Sequence, residues 1–241
     1  EIAQCLVGSE MCIRDSNTYT TFEALATYEK RIKDHSFKLL AGTSVEQSAN
    51  RGLEGYRNTF PNNYLYELGS GDKATATNNS SLEEYALLSF FGRINYSLRD
   101  RYLLEANLRY DGSSRFGEGN KWGFFPSIGL AWRASEEKFL AGNKVITNLK
   151  VRGSFGVTGN QEIGNYKSLA QLTGSNYTDG SSVIYGFKES IGNGDLKWER
   201  TTQLDLGFDL GLWNRMDIAF DYYIRNTNDL LYDCLLYTSD A

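Results

Sequence analysis

Hydrophobic residues recur at every second position over long stretches of this chain. The clearest run is 203–212, where Leu204, Leu206, Phe208, Leu210 and Leu212 share one parity and Gln203, Asp205, Gly207, Asp209 and Gly211 share the other. After Trp213, Asn214 and Arg215 the pattern resumes. Met216, Ile218, Phe220, Tyr222 and Ile224 alternate with Asp217, Ala219, Asp221, Tyr223 and Arg225. Successive side chains of a strand point to opposite faces, so each run predicts a strand with one apolar and one polar face, and the pair predicts a hairpin. A second hairpin precedes it. Phe90, Ile94, Tyr96 and Leu98 alternate with Phe91, Arg93, Asn95 and Ser97; beyond 99–101, Tyr102, Leu104, Ala106, Leu108 and Tyr110 oppose Leu103, Glu105, Asn107 and Arg109. Weaker runs at roughly 18–29, 36–48, 122–134 and 148–158 bring the total to about eight strands, each near or above the 9–11 residues a tilted membrane strand requires.

An apolar face on every strand suits either a sandwich, which buries it between layers, or a membrane barrel, which turns it to lipid. The connections favour the barrel. Short ones lie near 30–35, 99–101 and 213–215, with a medium one near 135–147, whereas 49–84, 113–121 and 159–199 are long. Short turns at one end and long loops at the other characterise outer-membrane barrels, the short end being periplasmic. Trp122 and Trp132 share one face of one strand, ten residues apart. At about 3.3 Å per residue and a tilt of about 40°, they stand roughly 25 Å apart along the membrane normal, the height of an apolar band between aromatic girdles. Tyr102 and Trp213 fall at the short-turn end and complete the girdle set. The fold expected is all-β, an antiparallel up-and-down transmembrane β-barrel or part of one. Leu104, Leu108, Phe208, Leu210, Ile218 and Phe220 are assigned to lipid. Arg93, Asn95, Glu105, Arg109, Asp205, Asp209, Asp217 and Asp221 are assigned to the lumen.

Composition agrees and narrows the partners. Two prolines and 14% aromatic residues favour strands. A net charge of −5 with no basic stripe argues against nucleic acid. No run of about 18 apolar residues exists, so no helix is expected to span a bilayer. The mean hydropathy of −0.45 is compatible with a barrel, in which only alternate residues face lipid. The segments CLVGSEMCIRDS (5–16) and CLLYTSDA (234–241) resemble translated sequencing-adapter read-through. On that reading residues 17–233 form the domain, and 1–16 and 234–241 are non-native ends. All three cysteines lie in those ends, which leaves the interior without a disulfide or a cysteine metal site.

Enzyme chemistry finds little support. His35 is the only histidine and falls in a turn, where no Ser–His–Asp or Cys–His arrangement can be built around it. Asp205/Asp209 and Asp217/Asp221 each share a face about 13 Å apart. Glycosidase carboxylates need about 5–9.5 Å, so a hydrated wall is the simpler account. DGSSRFGEG (111–119) lacks the alternating acidic ligands of a calcium loop and the Gly-Lys-Ser/Thr ending of a phosphate loop; turn chemistry explains its Asp and Gly. No metal or cofactor is expected. Ligand contact is expected in the long loops, where Tyr166, Tyr177, Tyr185, Phe187 and Trp198 could stack on sugar rings or peptide side chains; Trp198 is also a girdle candidate.

Several segments resemble the SusC/RagA family of TonB-linked outer-membrane transporters. They are RYDGSSRFGEGNKWGFFPSIGLAWRASEEKFL (109–140), LKVRGSFGVTGNQEIGNY (149–166) and LKWERTTQLDLGFDLGLWNRMDIAFDYYIRNTNDLLY (196–232), with FGRINYSLRDRYLLEANLRYDGSSRF (91–116) overlapping the first. The likeness covers most of 82–232. It implies a larger, 22-stranded barrel, of which this chain supplies about eight strands; whether those strands close by themselves stays open at this point. It also implies import of oligosaccharides or peptides, a SusD-like lipoprotein lid on the extracellular side, and TonB acting through an N-terminal region not seen here. Two other readings stay open at this point: a TonB-dependent siderophore receptor barrel, and a secreted soluble β-sandwich that binds glycans.

Overall fold

The computed structural model describes the backbone of residues 2–5, 10–62, 64–65, 67–178, 183–190 and 192–232, and the side chains of 12–62, 64–65, 67–171 and 192–232. The strands are β1 (Ile2–Cys5), β2 (Glu10–Ile32), β3 (His35–Arg57), β4 (Thr77–Leu98), β5 (Tyr102–Ser113), β6 (Trp122–Arg133), β7 (Ile146–Asn160), β8 (Gln171–Thr178), β9 (Val183–Ser190), β10 (Glu199–Leu212) and β11 (Met216–Asn228). One sheet runs β1-β2-β3-β4-β5-β6-β7-β10-β11, each strand beside its predecessor in the chain except where β7 meets β10. There the order bypasses a separate antiparallel hairpin, β8–β9, which lies within the long connection 161–198. The order has two ends and does not close. All eight strands read from the alternation are present. The β8–β9 hairpin was not anticipated, because its sequence carries no sustained apolar parity. Among the described residues the only helical structure is three short 3-10 turns, Leu68–Ser70, Lys73–Thr75 and Ala134–Glu136.

The chain divides into two compact units, Glu1–Phe22 with Val45–Ala86, and Glu23–Ser44 with Leu87–Ala241. The first unit holds parts of β2, β3 and β4 and the 58–76 connection. Its contacts are polar. Tyr19 donates to Glu46 at 2.9 Å, the Arg57 guanidinium reaches the Gly69 and Gly71 carbonyls, and Asp72 caps the second 3-10 turn by accepting from the Ala74 N–H. This unit explains why β2 and β3 run 23 residues each, well beyond the lengths expected. Strand pairing needs only backbone groups, so it continues after the apolar alternation has ended.

In the second unit the register decides which side chains share a face. Phe208 lies opposite Phe220 and, on its other side, Val151; Leu206 lies opposite Tyr222 and Gly153. Phe155 pairs with Ile128, Leu130 with Leu104, and Leu104 with Tyr96. Across β4, β5, β6, β7, β10 and β11 the apolar parity of each strand therefore meets the apolar parity of the next. The parity switches from even to odd residue numbers in β7 and back again in β10, as the pairing requires. Among the described residues nothing covers this face. Leu108, Leu206 and Phe220 are each about half exposed (52%, 52% and 53%). A sandwich would have buried them, so the soluble reading fails; hydrocarbon is the environment that suits a continuous exposed apolar face.

The hairpins at the short end close tightly. Arg99 and Asp100, and Trp213 and Asn214, have positive φ angles of 52–55°, with Arg101 N–H bonded to the Leu98 carbonyl and Arg215 N–H to that of Leu212. Such left-handed pairs twist a turn in the sense the flanking strands need. Neighbouring turns also bond to one another, Arg99 N–H to Asp34 and Trp213 N–H to Val145. Few backbone groups are thus left for lipid to satisfy at this end.

The facing assignment predicts unequal costs at adjacent positions. Leu206→Arg should destabilise the bilayer-embedded protein by about 2–4 kcal/mol near the midplane, and Asp205→Asn should change it little. Unfolding titrations in lipid vesicles measure both; equal costs would contradict the assignment.

Candidate functional site

The face opposite the apolar one carries paired charges and small residues. Arg93 donates through Nε to Asn107 Oδ1 at 2.6 Å, and Asn107 in turn donates to Glu105 at 3.0 Å and Ser127 at 3.2 Å. Arg109 donates to both Asp111 oxygens and to Ser89 Oγ, and its guanidinium lies 5.7 Å from the centre of the Phe91 ring. Arg152 bridges two strands, reaching Asp209 at 3.3 Å and Asp221 at 2.6 Å. Asn95 faces Glu105 across β4–β5, Asp205 faces Ser154, and Asp217 faces Gly211 next to the turn. All eight residues expected on the lumen side therefore occupy one parity of the sheet. A concavity of about 840 Å³ on this unit is lined in part by Asn95, Glu105, Ser127, Arg152, Gln203 and Asp205. Together these groups make a charged, hydrogen-bonding wall.

Sequence reasoning missed two members of this wall, Arg152 and Asp111, and placed Asn107 on the polar parity without assigning it to the lumen set. Glycines at 153 and 156 weakened the alternation of β7, so Arg152 did not stand out as lumen-facing. Asp111 was read as a turn residue, whereas it lies inside β5 and is buried beside Arg109. Parity extended one residue further along β5 would have found it.

The aromatic residues gather at the two ends of the apolar face. At the long-loop end Trp122 stacks on Tyr110 (4.7 Å between ring centres, 11° between planes) and lies 6.4 Å from Phe90. Gly112 lies opposite Trp122, and a side chain there would meet the indole at 2.8 Å, so glycine is what lets the ring lie across β5. At the short-turn end Tyr102 pairs with Trp132, Trp132 approaches Phe139, and Trp213 sits in its turn, more than half exposed. Glu137 fastens this end. It accepts from Tyr102 Oη at 2.6 Å, from Arg101 at 3.2 Å and from Trp132 Nε1 at 3.5 Å. The hydrogen bond from Tyr102 is the largest influence holding the Glu137 carboxyl below its usual range. His35 is exposed and hydrogen-bonds Tyr96 Oη through Nδ1 at 2.8 Å.

At the long-loop end the connections pack on one another. Phe116, Phe125, Leu87 and Trp198 form a buried cluster, with Val157, Ile163, Leu196 and Leu231 against it. Trp198 is 6% exposed and donates its indole N–H to the Lys121 carbonyl at 2.8 Å. It is thus a packing residue of the loops in this arrangement, set neither in a girdle nor at an open surface. Arg115 donates to Asn165 and to the Gln161 carbonyl, and Ser168 donates to the Arg115 carbonyl. The DGSSRF segment is therefore built into the base of the 161–198 connection. Gly117 passes so close to Gly194 that a Cβ would lie 2.5 Å from its carbonyl oxygen. Tyr166 is half-buried with a positive φ of 63°. The side chains of Tyr177, Tyr185 and Phe187 lie outside the described residues.

An unbroken up-and-down sheet with an exposed apolar face, aromatic belts at both ends of that face and an ion-paired opposite face defines the wall of an outer-membrane β-barrel. Residues 9–239 match the family model described as TonB dependent receptor-like, beta-barrel. The chain belongs to that family, and its relatives are of the SusC/RagA type. It is 38% identical over 230 residues to TonB-dependent receptor P3 of Formosa agariphila, covering 94% of this chain and 23% of that protein. It is 42% identical over 151 residues to TonB-dependent receptor SusC of Bacteroides thetaiotaomicron, covering 60% of this chain and 15% of that one. The solved structure of the RagAB peptide transporter superposes with a TM-score of 0.80 at 30% identity, covering 94% of this chain and 25% of that one. The chain thus spans about a quarter or less of the relatives it matches.

Two outcomes follow for the wall. Arg152→Gln should lower stability only slightly, because the ion pairs are partly exposed and screened; adding Asp221→Asn should recover part of the loss, as a double-mutant cycle reads out. The Glu137 carboxyl has its folded-state pKa lowered, so its contribution to stability is present above the ordinary value of 4.5 and is lost as pH falls through the lowered value. Glu137→Gln should therefore flatten the acid limb of the stability–pH profile and leave the profile's slope near neutrality unchanged.

Proposed function

We propose that this chain forms part of the barrel wall and extracellular loops of an outer-membrane importer that takes up oligosaccharides or peptides. The observation that carries this reading is the two-faced sheet. One face is continuously apolar and exposed, and the other presents charge networks around a hydrated concavity. Such a wall supports passage of polar solutes. The relatives support TonB as the source of energy, acting through a region outside this chain, and a SusD-like lipoprotein as the extracellular lid. A siderophore receptor is the less favoured reading, since the relatives include SusC and the RagAB peptide transporter.

Ligand contact on this reading falls to exposed aromatic and amide groups of the long connections, with Tyr166, Tyr177, Tyr185 and Phe187 the candidates. Trp198, Phe116 and Phe125 hold the platform on which those connections stand. The end segments 1–16 and 234–241 are read as foreign to the native gene, and sequencing the genomic locus tests that directly.

Deleting the full-length gene should abolish growth on one class of large solute, oligosaccharide or oligopeptide, and spare growth on its monomers. Complementation with wild type should restore labelled-substrate uptake that collapses when the proton gradient is dissipated. Uptake unaffected by deletion, or insensitive to the gradient, would contradict TonB-driven import.

A further inference from the structure

The short-turn end contains a cleft that the transport reading does not use. It lies between the 134–145 connection and the β10–β11 turn, with a volume of about 610 Å³. Lys144, Thr147, Trp213, Asn214 and Arg215 line it. The two walls are joined by the Trp213 N–H, which donates to the Val145 carbonyl at 2.9 Å. Asn143 shapes the first wall by accepting from the N–H groups of both Val145 and Ile146, which presents Lys144 in a fixed bend. The second wall is fixed by the left-handed pair Trp213 and Asn214.

Several cations of the same end are paired. Arg31 meets Asp100 at 2.9 Å, Arg99 meets Asp34 at 2.9 Å, and Arg101 meets Glu137 at 3.2 Å. Among the described residues neither Lys144 nor Arg215 forms an ion pair, and both are exposed. No carboxylate lines the cleft. Its depth in the bilayer is set by its neighbours. Leu212 and Met216 are the last pair of the apolar ladder, and Trp213, 56% exposed, follows at once. Exposed tryptophan beside the end of an apolar face marks the headgroup level of a membrane.

We infer that this cleft binds the anionic phosphodiester headgroup of a bilayer lipid. An ammonium and a guanidinium supply a point charge and a planar fork, the pair suited to phosphate oxygens. Trp213 packs along the glycerol and upper acyl region while its ring stays at the interface. The cleft is much larger than one phosphate group, and Trp213 in its lining directly follows the last apolar pair, Leu212 and Met216. Both features favour a lipid headgroup over free phosphate. Occupancy would tie the 134–145 connection to the turn and reinforce an end otherwise held by the Glu137 contacts.

The test uses the full-length receptor that contains this chain, purified in detergent and examined by native mass spectrometry with added phosphatidylglycerol, phosphatidylcholine or inorganic phosphate. Wild type should retain phosphatidylglycerol in preference to phosphatidylcholine. Lys144→Gln with Arg215→Gln should lower that retention about tenfold or more, at roughly 1 kcal/mol per cation near a charged lipid surface. Lys144→Arg should keep it, and heat-modifiable migration on gels confirms that each variant is folded. Equal retention by wild type and the double glutamine variant overturns the proposal, and so does equal retention of the two lipids. Displacement of phosphatidylglycerol by millimolar inorganic phosphate would also overturn it, assigning the cleft to a free anion.

Discussion

The structure depends on one solvent constraint. Inside a bilayer there is no water to satisfy a backbone N–H or carbonyl, so the chain must pair them with itself; strands do this laterally and leave their side chains free to choose an environment. Because a strand offers its two faces to alternate residues, a sheet between hydrocarbon and water must alternate apolar and polar residues along every strand. The register must also keep the parities aligned from strand to strand. In β4, β5, β6, β7, β10 and β11 that alignment holds through five successive pairings. A slip of one residue in any of them would put Leu and Phe into the water-facing wall and Asp and Arg into lipid.

The same constraint explains why the molecule has so small a conventional core. Among the described residues the buried apolar side chains are few, and all but Ala134 gather around Phe116, Phe125 and Trp198, where the connections leave the sheet and must pack on one another in water. Along the sheet itself the surrounding hydrocarbon replaces a core. The opposite face keeps its charges in water but pairs them across strands, as Arg152 does with Asp209 and Asp221. These pairs hold guanidinium and carboxylate groups in defined positions along the polar face.

The aromatic residues and turns define the ends. At one end the hairpins are tight, linked to one another by backbone hydrogen bonds, and fastened by Glu137 to Tyr102, Trp132 and Arg101. At the other end the connections are long, carry the additional β8–β9 hairpin, and pack through a cluster that buries Trp198. The asymmetry lies in the connections, which are short and bonded to one another at one end and long and packed on one another at the other.

Alternation by itself determined the strands, their facing, the short turns and the polar wall, because a two-residue period is a local property and hydrocarbon enforces it at every step. Leu206 and Asp205 could be assigned to opposite solvents without coordinates for that reason. Only the tertiary structure decided what depends on residues distant in the chain. Arg152 became the partner of two aspartates on other strands, and Trp198 moved from a candidate contact into a buried cluster. Strands β2 and β3 continued beyond their apolar stretch, and β8 paired with β9. In each case the controlling interaction joins residues distant in the sequence, and a local two-residue period carries no record of it.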